Sequence, residues 1–230
     1  MDVQLEGSGP EVLLVHGTPG GSDTALLCAR WLELLPGFRI LAPSRPGYLG
    51  TPLAEGATMA EQGDFLARVL ARYASGPVAV VAVSGGGPAA CELAIRHPGR
   101  IRRLALLCAV TGRDERARWP EKLLVHLAPL LAWIPSRLVQ MALPVGGRRE
   151  GFLNDDYQFR TLSPLALEQI QCPVLQIHGA WDTAVPYRSA VAAHRRIPRA
   201  TLISIPRGSH LAPLRKSSAA ARCLREFLQS

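Results

Sequence analysis

A serine, an aspartate and a histidine, each in a suggestive local setting, are the residues of this chain whose types could do chemistry together: Ser84, Asp182 and His210. A serine hydroxyl is a poor nucleophile until a neighbouring imidazole takes its proton. That imidazole needs a carboxylate to hold its tautomer and to stabilise its cationic form. Attack on a carbonyl also needs two backbone N–H groups facing the oxyanion that develops, each worth about 10²–10³ in rate. Ser84 is the best placed of the three. It follows the apolar run Val78-Ala79-Val80-Val81-Ala82-Val83 and precedes Gly85-Gly86-Gly87-Pro88-Ala89-Ala90. Such a run reads as a strand buried on both faces, as in a parallel sheet. The glycines let the chain reverse with no Cβ in the way. A serine at the tip of that turn presents its Oγ clear of the sheet.

The same residues have a rival reading. Gly85-x-Gly87-x-x-Ala90 fits the Gly-x-Gly-x-x-Gly/Ala dinucleotide fingerprint. That fingerprint wants an acidic residue about 20 positions on, at the end of the next strand. Here the next strand, 101–108, runs into Ala109-Val110-Thr111 with no carboxylate, and several elements precede the glycines. A purely structural turn is the third reading.

The elements that must position these groups follow from periodicity. Residues 3–5 form a short first strand, and 12–15 the first full one, running into His16-Gly17-Thr18-Pro19-Gly20-Gly21. Ser22-Asp23 would cap a helix through about residue 35, ended by Pro36-Gly37. A strand at 38–42 leads into Pro43-Ser44-Arg45-Pro46-Gly47-Tyr48-Leu49-Gly50-Thr51-Pro52, a shaped loop. Phe65, Val69 and Tyr73, with Leu66 and Leu70, lie on one face of a helix over 59–73. A helix over 86–95 follows Ser84, with Pro88 tolerated in its first turn. Strands alternating with helices predict βαβ units and a mainly parallel sheet. From 113 to 168 the rhythm breaks into proline-cut helical pieces, expected to form a helical cap inserted in a core made of 1–112 and 169–230. Its apolar residues include Trp119, Leu127 and Trp133, expected to line a pocket over Ser84. The sheet resumes at 173–177, before His178-Gly179-Ala180-Trp181-Asp182, a helix over 187–196, a last strand over 200–205, Gly208-Ser209-His210 and a closing amphipathic helix.

Length and composition set bounds. At 230 residues, 48% of them hydrophobic, the chain makes one domain, or one with an insertion. The net charge of +8 comes from 24 Arg and 2 Lys, scattered and without interleaved aromatics, so no nucleic-acid partner is expected. The N-terminal residues show no signal-peptide pattern. The most apolar stretch outside the strands, at 123–134, is too short to span a bilayer and holds His126 and Pro129. Cys28, Cys91, Cys108, Cys172 and Cys223 are odd in number, widely spaced and set in apolar contexts, which predicts small core residues in a reducing compartment, the cytoplasm, with neither disulfides nor zinc.

Five segments in order resemble the α/β-hydrolase superfamily: His16-Gly17-Thr18-Pro19-Gly20, Ser44-Arg45-Pro46-Gly47-Tyr48, the Ser84 turn, His178-Gly179-Ala180-Trp181-Asp182 with Val185-Pro186, and Gly208-Ser209-His210. The chain order serine, acid, histidine is particular to that fold. Two departures stand out: Ala82 replaces the first glycine of the usual Gly-x-Ser-x-Gly, and Ser44 stands where the family often has Asp, which removes a loop charge. The resemblance implies an α/β fold, a mostly parallel sheet flanked by helices. It implies Ser84 as nucleophile, His210 as general base and then acid, Asp182 as its orienting partner, and the N–H groups of Gly85 and Thr18 as oxyanion donors. The expected activity is cofactor-free and metal-free hydrolysis of a small to medium, largely apolar ester, thioester or lactone. Carbon–carbon bond hydrolases, aminopeptidases and perhydrolases share the triad, and a non-catalytic small-molecule binding protein is the alternative of another class. Asp114 is the substitute for Asp182. His16 reads as loop-shaping, while His97, His126, His178 and His194 read as structural. Asp155 and Asp156 read as solvated.

Overall fold

The structure, a computed structural model, describes residues 1–113, 143, 145–216 and 218–230. Trp119, Leu127, Trp133, Asp114 and His126 lie outside the described residues. Seven strands, β1 (Val3–Gly7), β2 (Glu11–Val15), β3 (Arg39–Pro43), β4 (Val78–Val83), β5 (Ile101–Leu107), β6 (Val174–Gly179) and β7 (Ala200–Ile205), form one sheet in the order β1-β3-β2-β4-β5-β6-β7. β1 pairs antiparallel with β3; every other pairing is parallel.

The run that leads to Ser84 is buried at all six positions of β4. Its alternate residues feed opposite layers. Val78, Val80 and Ala82 join Leu13, Val15, Leu104 and Leu106 under helices α2 (Met59–Tyr73) and α3 (Gly87–Arg96). Ala79, Val81 and Val83 join Val12, Leu14, Ala105 and Leu107 under two other helices. These are α1 (Ser22–Trp31) and α6 (Ala219–Gln229), the sixth and last helix described. A period of two in the strands thus builds both cores. α2 begins with a reciprocal cap: Thr58 Oγ1 accepts from the Glu61 N–H and Glu61 Oε2 accepts from the Thr58 N–H.

After β2 the chain goes outward to β3, then returns across β2 to place β4 and the later strands on the other side. The crevice at the carboxyl ends of β2 and β4 is therefore the topological switch point, where sheets of this kind bind ligands. Within the described part of 113–168 lie the helix α4 (Arg149–Thr161) and a single 3₁₀ turn, Leu167–Gln169. α4 is bolted to the loop after β3. Gly151 N donates to Gly47 O at 2.8 Å, and a Cβ at Gly151 would meet the Tyr48 ring at 2.4 Å. The fifth helix, α5 (Tyr187–Arg196), follows β6.

One boundary differs from expectation. α1 stops at Trp31 and not near residue 35, because Glu33 takes φ 56° and turns the chain so that both Leu32 and Leu34 enter the core.

Candidate active site

Ser84 directly follows β4 and takes φ 50°, a conformation uncommon for a residue with a side chain. Its carbonyl is held by Val110 N–H at 2.9 Å. The three glycines that follow keep the turn clear of Cβ atoms, as expected. None of them has positive φ; the serine itself makes the reversal, and the glycines provide room. A Cβ on Gly85 would lie 2.2 Å from Thr18 Oγ1, one on Gly86 2.6 Å from His16 O, and one on Gly87 2.2 Å from Val110 O. The turn is thus packed between the loop after β2 and the end of β5. Ala82, in place of the usual first glycine, is fully buried in β4.

His210 follows β7 and reaches Ser84: Nε2 lies 3.0 Å from Oγ. Its Nδ1 lies 2.8 Å from Asp182 Oδ2. Asp182, in the loop after β6, is buried. Its Oδ1 accepts from the N–H groups of Ala184 and Val185, each at 2.8 Å. Its Oδ2 also lies 3.2 Å from His178 Nε2. That nitrogen carries a proton, because it donates to the Val185 carbonyl at 2.9 Å. Burial alone would raise the pKa of Asp182, but the hydrogen bonds from His178, His210 and Val185 outweigh it and hold the carboxyl well below the usual carboxylate range. His210 keeps about a quarter of its side chain exposed (24%), enough for a substrate to approach.

Cys108 is a small buried core residue, as expected, and it has a charged neighbour. With φ 45°, it lies against Asp182, and burial followed by that neighbouring charge raises its thiol pKa. The ligand-type atoms of Cys108, His178 and Asp182 lie within 4.8 Å of one another. Asp182 and His178 are already engaged with each other and with the backbone, so the cluster is a satisfied carboxylate and not an open coordination site.

The loop after β2 brings Gly17 and Thr18 to the same place. A Cβ on Gly17 would sit 3.1 Å from Ser84 Cβ, and the Thr18 side chain rests above Gly85. The Thr18–Pro19 peptide is cis. His16 shapes this loop, as its position suggested. Nε2 accepts from Arg45 N–H at 2.9 Å and Nδ1, which therefore carries the proton, donates to Gly17 O at 2.7 Å. Burial and the nearby Arg45 cation push the pKa of His16 well below its ordinary value, so it stays neutral.

Two expectations about carboxylates are overturned. Asp155, on α4, is fully buried and bears an ion pair with Arg45 at 2.6 Å, both side chains at 0% exposure. Tyr48 Oη donates to it at 2.6 Å and Thr18 Oγ1 at 2.5 Å. Asp156 is also buried and pairs with Arg160. The charged sequence around them reads as a solvated face, but α4 turns this edge onto the loops below. Nor is the loop charge lost at Ser44: its Oγ donates to Asp2 Oδ2 at 2.5 Å, so an acid from the N-terminal segment stands beside it. His97 bonds Asp64 at 2.7 Å, a structural contact. Arg45 lies in a segment already singled out, and a lone arginine in a Pro/Gly-rich loop was the available signal; its partner is 110 residues away.

This architecture and this cluster define a class of protein, and the comparisons agree. The profile described as "alpha/beta hydrolase fold" matches residues 10–149, and one described as "TAP-like protein" matches 157–230. The chain belongs to the α/β-hydrolase fold family and is a hydrolase. Among its relatives is the "Uncharacterized hydrolase YcgS" of Bacillus subtilis, 26% identical over 272 residues, covering 100% of this chain and 95% of that protein. A pimeloyl-[acyl-carrier protein] methyl ester esterase of Aromatoleum aromaticum is 28% identical, covering 84% of this chain and 88% of its own. Among solved structures, an alpha/beta hydrolase fold protein from Nakamurella multipartita superposes with a TM-score of 0.84 at 30% identity, covering 99% of this chain and 94% of that one.

Proposed function

We propose that the chain is a serine hydrolase acting through an acyl-enzyme on a small to medium, largely apolar ester, thioester or lactone. The observation that carries this is the continuous relay from Ser84 Oγ to His210 Nε2 at 3.0 Å and from His210 Nδ1 to Asp182 at 2.8 Å. His210 Nε2 takes the hydroxyl proton as Ser84 Oγ attacks the carbonyl carbon. The oxyanion meets the N–H groups of Gly85 and Thr18, the former at the positive start of α3. His210 then passes the proton to the leaving group, whose departure leaves an ester on Ser84. Water, deprotonated by the same ring, hydrolyses that ester. Phe159, whose ring end approaches Gly85, shields this side from water. The methyl ester esterases among the relatives favour an ester over the other bonds that such a triad cleaves.

The substrate is the expected partner. Five free cysteines fit a reducing compartment, the cytoplasm. No helix among the described residues is long and apolar enough to cross a membrane. The test is direct: a fluorophosphonate probe should label Ser84, and Ser84→Ala should abolish both labelling and turnover of short nitrophenyl esters. Unchanged turnover in Ser84→Ala would reject the assignment.

A further inference from the structure

We propose that Asp155 is a positioning residue for the oxyanion loop: from α4 it holds Arg45, and through Arg45 it sets the peptide that bears the Thr18 N–H. This rests on the reading of Thr18 as an oxyanion donor. Arg45 spreads its guanidinium over three consecutive residues of the loop. Nε donates to His16 O at 3.2 Å, and one terminal nitrogen donates to Gly17 O at 3.2 Å and Thr18 Oγ1 at 3.1 Å. The other donates to Gln62 Oε1 at 3.0 Å and Asp155 Oδ1 at 2.9 Å. The two Asp155 oxygens therefore take both terminal nitrogens, a bidentate pairing that fixes the plane of the guanidinium.

The consequence follows from peptide geometry. The Gly17 carbonyl and the Thr18 N–H belong to one planar group and point in opposite directions when it is trans. The cis bond lies one peptide further on, at Thr18–Pro19. Arg45 and the His16 ring both donate to Gly17 O. Their grip on the oxygen aims the N–H away from the guanidinium, and the loop itself is pressed onto Gly85 and Ser84. Remove the carboxylate and the guanidinium loses its fixed plane, the Gly17–Thr18 peptide keeps only the His16 hold, and the donor is misaimed without any change at Ser84. The Thr18 hydroxyl, shared between Arg45 and Asp155, ties the same residue down a second time.

Asp155→Asn keeps the shape and removes the charge; Tyr48→Phe removes one donor to Asp155 and leaves the ion pair. Each is measured beside wild type for kcat and KM on a short nitrophenyl ester. The same samples are titrated with an aryl trifluoromethyl ketone, whose adduct needs the oxyanion donors, and scaled to fluorophosphonate-titrated sites. In Asp155→Asn kcat should fall about 10²-fold, the scale of one lost oxyanion donor, with KM within about threefold and ketone affinity falling in parallel. Tyr48→Phe should show the same pattern at about three- to tenfold. A folded Asp155→Asn with unchanged kcat and ketone affinity overturns the proposal. If Asp155→Asn does not fold, an unchanged ketone affinity in Tyr48→Phe overturns it. A wild type that neither labels nor turns over ester would sink the hydrolase reading instead, before either variant is compared.

Discussion

Asp182 accepts from four donors, two backbone N–H groups on Oδ1 and two imidazoles on Oδ2. An amide there cannot satisfy them, because its NH₂ must face donors at one end or the other. Asp182→Asn should therefore leave Ser84 in place but hold the His210 ring in the wrong tautomer. A fall in kcat of about 10⁴-fold is expected, the size seen when a triad acid becomes an amide, read by steady-state kinetics with the fold checked by circular dichroism. That these three residues would meet was legible because each follows a strand and the chain order is distinctive. Cys108 was not assigned to Asp182, because its approach depends on how the ends of β5 and β6 lie side by side, and His178, four residues before Asp182, meets it only because the loop after β6 folds back. The glycines after Ser84 were legible as positions that admit no Cβ, while only packing shows that Thr18, His16 and Val110 fill the space beside them.

At the scale of elements, α4 is set by contact with a loop more than by its own sequence. An Ala for Gly within a helix normally gains up to about 1 kcal/mol. Gly151→Ala should do the opposite, because its Cβ would meet the Tyr48 ring at 2.4 Å and push the helix off Gly47. A lowered urea midpoint with unchanged slope is the expected result. A raised midpoint would show that α4 can shift at little cost. The strands and α2, α5 and β7 were readable at the residue level, since an apolar period of two or near four is a local property. The inward face of α4 was not. Asp155 and Asp156 sit among polar neighbours, and a charged run gives no sign that an arginine far back in the chain awaits one of them.

For the molecule as a whole, two buried groups make stability depend on acidity with the same sign. Asp182 has its folded pKa depressed, so its contribution is complete above the ordinary carboxylate value of about 3.9 and fades as pH falls below that. His16 is also depressed, held neutral in the core. The unfolded chain therefore binds a proton that the folded one refuses once pH drops below about 6.5, at about 1.4 kcal/mol per pH unit. Unfolding free energy should decline from near pH 6.5 downward, earlier than carboxylates alone would dictate. His16→Gln should flatten that upper part of the profile, measured by urea titration at stepped pH. An unaltered slope in the variant would mean that the ring does not carry this proton linkage.

The first residues of the chain have a part in all this that their position disguises. Asp2 takes the hydroxyls of both Ser22 and Ser44 on one oxygen, and its own N–H reaches Thr51. That single aspartate clasps the start of α1 to the loop from which Arg45 springs. Asp2→Ala would unfasten a latch whose far side is the loop of His16, Gly17 and Thr18.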